Sequence, residues 1–185
     1  IWDDINQEFF AARDRFGIKP FYYTVSHGVL YFSSEMKALL PFLDKIEINY
    51  QSLEEYLAFQ YTFGEKTLFD GITELPAGHT MSIRKGRPLI EKYWDISYNV
   101  DFSKSESEFL DEVRSLTERA VGENLSGDVE VGAYVSGGID SSLVYLLANQ
   151  ADPRVTKSFH GRFTDYPGFD ESHFASLATE STGST

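Results

Sequence analysis

Residues 134–142, with the sequence YVSGGIDSS, place small hydroxyls, two adjacent glycines and one carboxylate within a short stretch. Glycine lets a backbone approach a ligand closely and adopt dihedral angles that other residues resist. The first N–H groups of a helix lack internal partners and, together with the helix dipole, favour an anion such as phosphate. With an apolar run before it and a helical pattern after it, this stretch predicts a turn that holds the phosphates of a nucleotide.

The role of Asp140 has two interpretations, because a carboxylate repels phosphate. It caps the helix, or it holds a magnesium ion that bridges the phosphates. An alternative for the whole stretch is an ordinary strand-to-helix connection, with Gly137 and Gly138 in the turn and Asp140 or Ser141 as the cap. The stretch lacks the Gly-Lys-Ser/Thr ending of the longer phosphate loop and the Gly-x-Gly-x-x-Gly spacing of the dinucleotide fingerprint.

The elements around this turn must alternate between strand and helix to position it. Apolar residues recur over 129–135 and 155–159 as in short strands, and a helical pattern lies between them from about residue 143. Upstream, a capping-box spacing begins a helix over 105–124, and Asp170 is expected to cap a last helix. This order predicts a parallel sheet with crossover connections.

The first hundred residues predict antiparallel strands instead. Aromatic and β-branched runs at 21–25 and 29–32 flank the residues Ser26-His27-Gly28, which favours a tight hairpin. A second hairpin is expected from 79–83 to 89–94, through a turn that contains glycine and proline.

Two helices are expected between these hairpins. Residues 35–40 favour a short helix that Pro41 ends. Residues 52–55 have the spacing of a capping box, and apolar side chains follow on one helical face. The polar residues 97–104 suit a linker to the second half.

The charge and composition exclude several classes of function. The chain has 185 residues and a formal net charge of −13, which disfavours nucleic acid and anionic membranes as primary partners. It contains no cysteine, so disulfides, thiolate metal sites and a cysteine nucleophile are excluded within these residues. The four histidines are scattered with no paired ligand spacing, which disfavours a metal site built on them. No apolar run approaches the ~18–20 residues of a membrane helix. Because the chain opens at Ile1 rather than at a methionine, we expect a piece of a longer protein.

Residues 136–142 resemble the pyrophosphate loop of the N-type ATP pyrophosphatases, which split ATP between its α and β phosphates and adenylate an acceptor. Residues 13–20 resemble the late part of a class II glutamine amidotransferase domain. Stretches similar to glutamine-hydrolysing asparagine synthetases follow in the same order at 34–39, 74–79 and 93–95. The chain is therefore similar to an internal fragment of that family.

The resemblance implies an α+β part followed by an α/β part. Residues 1–96 would be the C-terminal part of an antiparallel β-sandwich glutaminase domain of the N-terminal-nucleophile type. Residues 97–104 would be the linker. Residues 105–185 would be the N-terminal part of a parallel-sheet ATP pyrophosphatase, or synthetase, domain.

In this family a cysteine releases ammonia from glutamine, ATP and aspartate form a β-aspartyl adenylate, and ammonia converts the adenylate into asparagine. The resemblance places the cysteine upstream and a second phosphate-contacting segment downstream of this chain. It therefore implies no catalytic residue within the piece and no activity for the piece alone. It also implies ATP and Mg²⁺ as cofactors, a cytoplasmic location, and a homodimer as one option for assembly.

Six residues of the loop are expected around the pyrophosphate and its magnesium, with Asp140 as the magnesium ligand: Ser136, Gly137, Gly138, Asp140, Ser141 and Ser142. The resemblance also places the backbone of Val135 and the region of Gly161 at the adenosine. His160 and Arg162 depart from the apolar residues that are usual beside Gly161.

Three alternatives stay open. A related amidotransferase-linked enzyme could adenylate another carboxylate, closing a β-lactam ring or amidating a peptide or a sugar acid. For a non-catalytic homologue, ATP with magnesium would bind no better to the parent protein than to an Asp140→Ala variant. A plain globular domain with an empty glycine turn would show no phosphate effect. In the first half, Arg13, Asp14 and Arg15 are predicted to pair across the strand end and orient the loop before Gly17, rather than to catalyse.

Overall fold

The computed structural model divides the chain into two units, Ile1–Asn99 and Val100–Thr185. No helix in the part of the chain that it describes is both long enough and apolar enough to cross a membrane. The described residues are 1–84, 87–155, 157–162, 165, 168, 170–180 and 182.

The first unit consists of two antiparallel sheets and a helix. The strands are β1 (Trp2–Asp3), β2 (Glu8–Ala12), β3 (Tyr22–Ser26), β4 (Val29–Ser33), β5 (Thr73–Glu74), β6 (His79–Arg84) and β7 (Arg87–Lys92). One sheet has the strand order β1-β2-β6-β7 and the other has the order β4-β3-β5. Helix α1, Tyr50–Phe59, lies between β4 and β5 in the chain.

Both predicted hairpins are confirmed. Strands β3 and β4 pair up to Ser26 and Val29, and the two residues between them, His27 and Gly28, have φ angles of 50° and 77°. Positive φ at both positions is the geometry of the two-residue turn that suits the twist of a hairpin. Strands β6 and β7 also pair antiparallel, while residues 85–86 of their predicted turn lie outside the described residues.

The core of the first unit joins its two sheets. Tyr23 of β3, Met81 of β6 and Leu75 form one buried cluster. Burying a large apolar side chain stabilises a fold by about 1.5–3 kcal/mol. Partly buried residues from both sheets pack against the cluster: Phe9, Ala11, Phe21, Leu30 and Ile90. The predicted α+β class holds for this unit, and the sandwich architecture stays a prediction.

The predicted helix over 35–40 is wrong. Two short 3₁₀ segments take its place, Met36–Ala38 and Leu40–Phe42. Pro41 does not stop a helix but lies in the first turn of the second segment. Proline is tolerated there because the first N–H groups of a helix have no internal acceptor.

Helix α1 begins earlier than predicted. Its N-cap is Asn49, whose side chain accepts the N–H of Ser52 at 2.9 Å. The predicted capping box of Ser52 with Glu55 is wrong, because Glu55 is bonded elsewhere. Its carboxylate forms an ion pair with Lys66 and accepts the N–H of Phe63 at 3.0 Å.

The second unit contains a short parallel sheet with helices. Strands β8, Gly132–Tyr134, and β9, Lys157–Phe159, pair in parallel, and helix α3, Ile139–Ala151, connects them. Both strands are shorter than predicted, at three residues each. Helices α2, Glu106–Asn124, and α4, Ser172–Glu180, precede and follow this β-α-β unit.

Helix α2 begins at the predicted capping box. The hydroxyl of Ser105 accepts the N–H of Glu108, and the carboxylate of Glu108 accepts the N–H of Ser105 at 2.7 Å. These two bonds satisfy backbone donors that the helix itself leaves unpaired.

Helix α4 begins at the predicted cap. The carboxylate of Asp170 accepts the N–H of Ser172 at 3.0 Å and a hydrogen bond from Arg162 at 3.0 Å. The hydrogen bonds from Ser172, followed by that from Arg162, lower the pKa of Asp170 to about 2. Asp170 is therefore ionised at neutral pH, as a cap near a helix N-terminus favours.

The core of the second unit lies beneath the predicted phosphate turn. Val135, Tyr145 of α3 and Ala175 of α4 form a buried cluster, with Ala133 and Ala178 packed against it. These contacts pack the residue after β8 against α3 and α4. The turn between β8 and α3 is therefore anchored by the core that lies below it.

Candidate functional site

The glycine-rich turn lies at the carboxyl end of a parallel strand. Val135 is 1% exposed, and its N–H donates to the carbonyl of Phe159 at 2.9 Å, one residue beyond the end of β8. Helix α3 then begins at Ile139 with Gly138 as its N-cap residue. In open α/β sheets, ligands bind outside this edge.

The two glycines of the turn have different requirements. Gly137 has a φ of +89°, and a Cβ there would lie 2.8 Å from Phe174 Cβ and 3.0 Å from the backbone nitrogen of Ala175. Gly138 has a φ of −72°, and a Cβ there would meet only the hydroxyl of Ser136, at 3.4 Å. The start of α4 therefore imposes glycine at 137, whereas position 138 tolerates a small side chain.

Two serine hydroxyls close the turn. The Oγ atoms of Ser136 and Ser141 lie 2.9 Å apart. The N–H of Ser136 donates to Ser141 Oγ at 3.2 Å, and the N–H of Gly138 donates to Ser136 Oγ at 3.3 Å. Ser142 enters the site through its backbone, whose N–H donates to the carbonyl of Gly138 at 3.1 Å.

The remaining backbone donors of the turn are open. Among the described residues, no acceptor bonds the N–H groups of Gly137, Ile139, Asp140 or Ser141. They lie at the start of a 13-residue helix, whose dipole adds partial positive charge. An anion placed here would satisfy these donors without any basic side chain.

Asp140 does not cap the helix. It is the second residue of α3, and the N-cap position has no side-chain hydrogen bond. Within the described part of the chain, no hydrogen bond or ion pair engages its carboxylate, and no group of three or more metal-ligating side chains converges. Of the two interpretations of Asp140, the structure disagrees with the cap and leaves the carboxylate free for a cation held jointly with a ligand.

Residues of the turn line two cavities. Val135, Ser136 and Gly161 share a cavity of about 320 Å³ with Tyr134, Phe159, His160 and Glu171. Asp140 and Ser141 line a larger groove of about 740 Å³, whose other walls are mostly apolar residues of α2, β8 and α3. The structure thus brings the predicted adenosine contacts together in one cavity, and Asp140 and Ser141 line the other.

His160 occupies the sheet edge in a way that the sequence did not indicate. Its Nδ1 lies 2.8 Å from the carbonyl oxygen of Val135, and its Nε2 is buried with no hydrogen-bond partner among the described residues. Both backbone polar groups of Val135 are therefore engaged. The sequence showed only a polar residue where the related family is apolar, because the contact joins residues 25 positions apart.

In the first unit, Arg13 fixes the loop that follows β2. Its guanidinium pairs with Glu74 at 2.7 Å and donates to the carbonyl of Leu75 at 2.6 Å. It also donates to the carbonyls of Gly17 and Lys19, at 3.0 Å and 3.1 Å. A guanidinium presents five donors, and this one is used almost fully by protein acceptors.

Asp14 completes the same loop from its own side. Its carboxylate accepts the N–H groups of Phe16, Ile18 and Lys19 at 3.2, 3.0 and 2.9 Å. The N–H groups of Lys19 and Ile18 lower the pKa of Asp14 below its usual value. The predicted pairing holds for Arg13, whose partner is Glu74, and the orienting role is confirmed for Arg13 and Asp14. Arg15 instead lies over the ring of Trp94, 5.9 Å from the ring centre.

The stretches that carried the amidotransferase resemblance meet around this loop. The N–H of Gly78 donates to the carbonyl of Asp14 at 3.0 Å, and the hydroxyl of Tyr93 donates to the carbonyl of Arg13 at 2.7 Å. The N–H of Tyr93 donates in turn to the carbonyl of Gly78 at 2.9 Å. Residues 13–19, 74–79 and 93–94 thus form one hydrogen-bonded network, although they are far apart in the chain.

Comparison with known families agrees with both units. Residues 1–94 match the family model described as a glutamine amidotransferase domain. The chain belongs to the glutamine amidotransferase domain family. Residues 112–185 match a second family model, described as asparagine synthase. The predicted resemblance to glutamine-hydrolysing asparagine synthetases is confirmed.

Curated relatives match this chain across both units. An asparagine synthetase (glutamine-hydrolyzing) of Bacillus subtilis is 33% identical over 92% of this chain and 27% of its own length. A second one from the same bacterium is 37% identical over 80% of this chain and 24% of its own length. An amidase of Gibberella zeae is 34% identical over 99% of this chain and 29% of its own length. The chain spans less than a third of the length of each of these relatives.

Proposed function

We propose that this chain is part of a glutamine-hydrolysing asparagine synthase, a ligase that converts ATP to AMP and pyrophosphate. The whole enzyme adenylates the side-chain carboxylate of aspartate and amidates it with ammonia released from glutamine. The observation that carries this proposal is the set of open backbone donors at Gly137 and the start of α3, at the carboxyl edge of the parallel sheet. The two family matches support it from each end of the chain.

The turn acts on the leaving group. When the bond between the α and β phosphates breaks, negative charge accumulates on the departing pyrophosphate. The N–H groups of Gly137, Ile139 and Asp140 and the dipole of α3 stabilise that charge, and they are already oriented before the reaction. Donors fixed in advance cost no reorganisation in the transition state, so they accelerate the step rather than only binding ATP.

Asp140 is the residue that would hold Mg²⁺. Within the described part of the chain, no hydrogen bond or ion pair engages its carboxylate, and carboxylate oxygen is a ligand that Mg²⁺ takes together with substrate phosphates. Magnesium would neutralise phosphate charge at the turn. The serine pair of Ser136 and Ser141 keeps the backbone in place and can turn its hydroxyls toward the phosphates.

The two units have separate tasks in this proposal. Residues 1–96 belong to the glutaminase domain, 97–104 to the linker and 105–185 to the synthetase domain. The chain contains no cysteine, so the nucleophile that attacks glutamine would lie outside these residues. The network around Arg13 keeps the glutaminase part rigid rather than taking part in its chemistry.

ATP–pyrophosphate exchange by the full-length protein tests the proposal. We expect exchange that depends on aspartate, and a loss of roughly a hundredfold in the Asp140→Ala variant, because a metal that neutralises transferring phosphates contributes several kcal/mol. Asp128→Ala is a matched control, since Asp128 is another exposed carboxylate of the same unit, and it should exchange like the wild type. Equal exchange by the Asp140→Ala and wild-type proteins would overturn the role of this turn.

The similarity to the amidase favours a second candidate, an enzyme that adenylates a different carboxylate on the same scaffold. The phosphate turn would work identically, and only the acceptor would differ. Exchange measured with aspartate, with carboxyl-bearing peptides and with sugar acids separates the two. Stimulation by aspartate alone supports asparagine synthesis, whereas stimulation by another acid without aspartate supports the second candidate.

A further inference from the structure

Helix α2 leaves its apolar stripe uncovered in the described part of the chain. The helix is 19 residues long, and none of its residues is buried. Val113, Leu116 and Ala120 recur at helical spacing, and the first two are 60% and 47% exposed. Because a helix in a folded protein gains most of its stability by packing such a stripe, a stripe left in water indicates a missing cover.

The same stripe forms a wall of the groove of about 740 Å³. Leu116 and Ala120 line this groove together with Val144 and Ala148 of α3 and the three residues of β8. Apolar walls on two helices, beside a strand, are the surroundings of a buried strand in an α/β sheet. They do not suit a charged substrate, whose burial there would be costly.

Strand β8 has one paired edge and one unpaired edge. The N–H of Val135 donates to the carbonyl of Phe159, so the backbone groups of Val135 and Ala133 point toward β9. Successive residues of a strand direct their N–H and C=O groups to opposite edges, so those of Gly132 and Tyr134 point away from β9. No strand in the part of the chain that the structure describes pairs at that edge. An unpaired edge of this kind is a template for another strand.

We propose that the groove is a docking surface for an apolar β-strand from the segment of the same protein that follows residue 185. The strand pairs with Gly132 and Tyr134 and packs against α2 and α3. A strand, unlike a helix, satisfies both the backbone edge and the apolar walls.

This inference rests on the proposed function, in which the chain is part of a longer ligase. The chain spans less than a third of the length of its relatives, so further segments are available. The segment is placed after residue 185 because the unit that precedes the groove in the chain matches a different family model.

A segment of the same protein is favoured over a second copy. The unpaired edge is three residues long and offers few hydrogen bonds. A second copy would have to offset the loss of its translational and rotational freedom, whereas a connected segment docks at an effective concentration on the order of millimolar. With the strand in place, β8 has neighbours on both sides and the groove becomes core rather than a substrate pocket.

Photo-crosslinking of the full-length protein identifies the occupant. A benzophenone side chain replaces Leu116 in the groove or, as a matched control, exposed Glu118 on the opposite side of α2. We expect the probe at position 116 to form an intrachain adduct with a peptide beyond residue 185, at a yield that dilution by about tenfold leaves unchanged. An adduct with residues 1–99 or with a second copy, or a yield no higher than that of the control, would overturn the proposal.

Amide exchange of the unmodified full-length protein tests the same pairing without a substitution. We expect the amide of Tyr134 to exchange within about tenfold of the rate of Val135, whose N–H is bonded to β9. Exchange of Tyr134 at the rate of an unstructured peptide, with Val135 protected, would show that no strand pairs at this edge.

Both measurements are made without nucleotide, which separates this inference from the proposed chemistry. If the strand docks but aspartate-dependent ATP–pyrophosphate exchange is absent, the proposed chemistry fails and the docking surface stands. If that exchange occurs while the amide of Tyr134 is unprotected, the docking surface fails and the proposed function stands.

Discussion

Two turns of this chain follow strands and depend on a glycine with positive φ, yet they treat their backbone donors in opposite ways. In the turn at residues 13–19, the carboxylate of Asp14 accepts three N–H groups, and the guanidinium of Arg13 donates to the carbonyls of Gly17 and Lys19. In the turn at residues 136–141, two glycines and two serine hydroxyls form the bend, and no acceptor in the described part of the chain engages four of its N–H groups.

The difference distinguishes a turn whose backbone donors are open from a turn whose backbone groups are satisfied by its own side chains. Charged side chains that reach back to their own backbone satisfy the donors and acceptors of a turn, which makes the turn rigid and leaves nothing for a ligand. Glycine and serine fix the shape of a turn through tight packing and one hydroxyl pair, while the start of the helix stays available to an anion.

Removal of Arg13 should have the largest effect on stability. Arg13→Ala leaves Glu74 and the carbonyls of Leu75 and Gly17 unpaired at a site where the two charged side chains are only 11% and 22% exposed. Breaking a buried pair in this way costs about 3 kcal/mol. Arg15→Ala is the matched control and should cost less than about 0.5 kcal/mol, as surface changes do. Equal denaturation midpoints of the two variants in urea would contradict the structural role of the first turn.

A methyl group at Gly137 should have the next largest effect. Gly137→Ala combines a strained φ of +89° with contacts below 3.0 Å to Phe174, so we expect a loss of about 2 kcal/mol together with lower affinity for pyrophosphate. Gly138→Ala adds the same methyl group one residue later and should cost less than about 1 kcal/mol. Urea denaturation and pyrophosphate titration of both variants check this order. If the two variants behave alike, the packing of α4 does not define the turn.

Acid should act on the first turn through Asp14. The folded-state pKa of Asp14 lies below the unfolded value of 3.8, so its contribution to stability is fully present above that pH and is lost as the pH falls through the lower, folded value. Asp14→Asn should remove this part of the acid dependence. Amide exchange of residues 16–19, measured from about pH 5 to about pH 2 so that the range includes the usual aspartate pKa, would reveal this acid dependence. Unchanged acid dependence in Asp14→Asn would show that the carboxylate does not hold this turn.

Local signals in the sequence predicted the parts of the fold that local contacts determine. The hairpin at His27 and Gly28 and the capping box of Ser105 with Glu108 each depend on residues within a few positions, and both are confirmed. The start of α1 was missed because Asn49 and Ser52 both offer capping spacings. The choice between them depends on Lys66, which draws Glu55 away from the helix start.

The candidate site was predictable in composition but not in detail. The glycines, the serines and the strand-to-helix order indicated the turn, and the structure places it at the predicted sheet edge. The steric need for Gly137 depends on α4, and the ring of His160 bonds a residue 25 positions away. Such contacts form only when distant segments pack, so no spacing within the turn could indicate them.

The most direct test of the account is millisecond hydrogen–deuterium exchange of the full-length protein with and without magnesium pyrophosphate. We expect the amides of residues 137, 139, 140 and 141 to exchange rapidly without the ligand and to be slowed at least about tenfold with it, because each gains an acceptor. The amides of residues 16–19 should be protected in both conditions. Unchanged exchange at residues 137, 139, 140 and 141 under saturating pyrophosphate, or protection of these amides before any ligand is added, would contradict the claim that this turn holds its donors open for an anion.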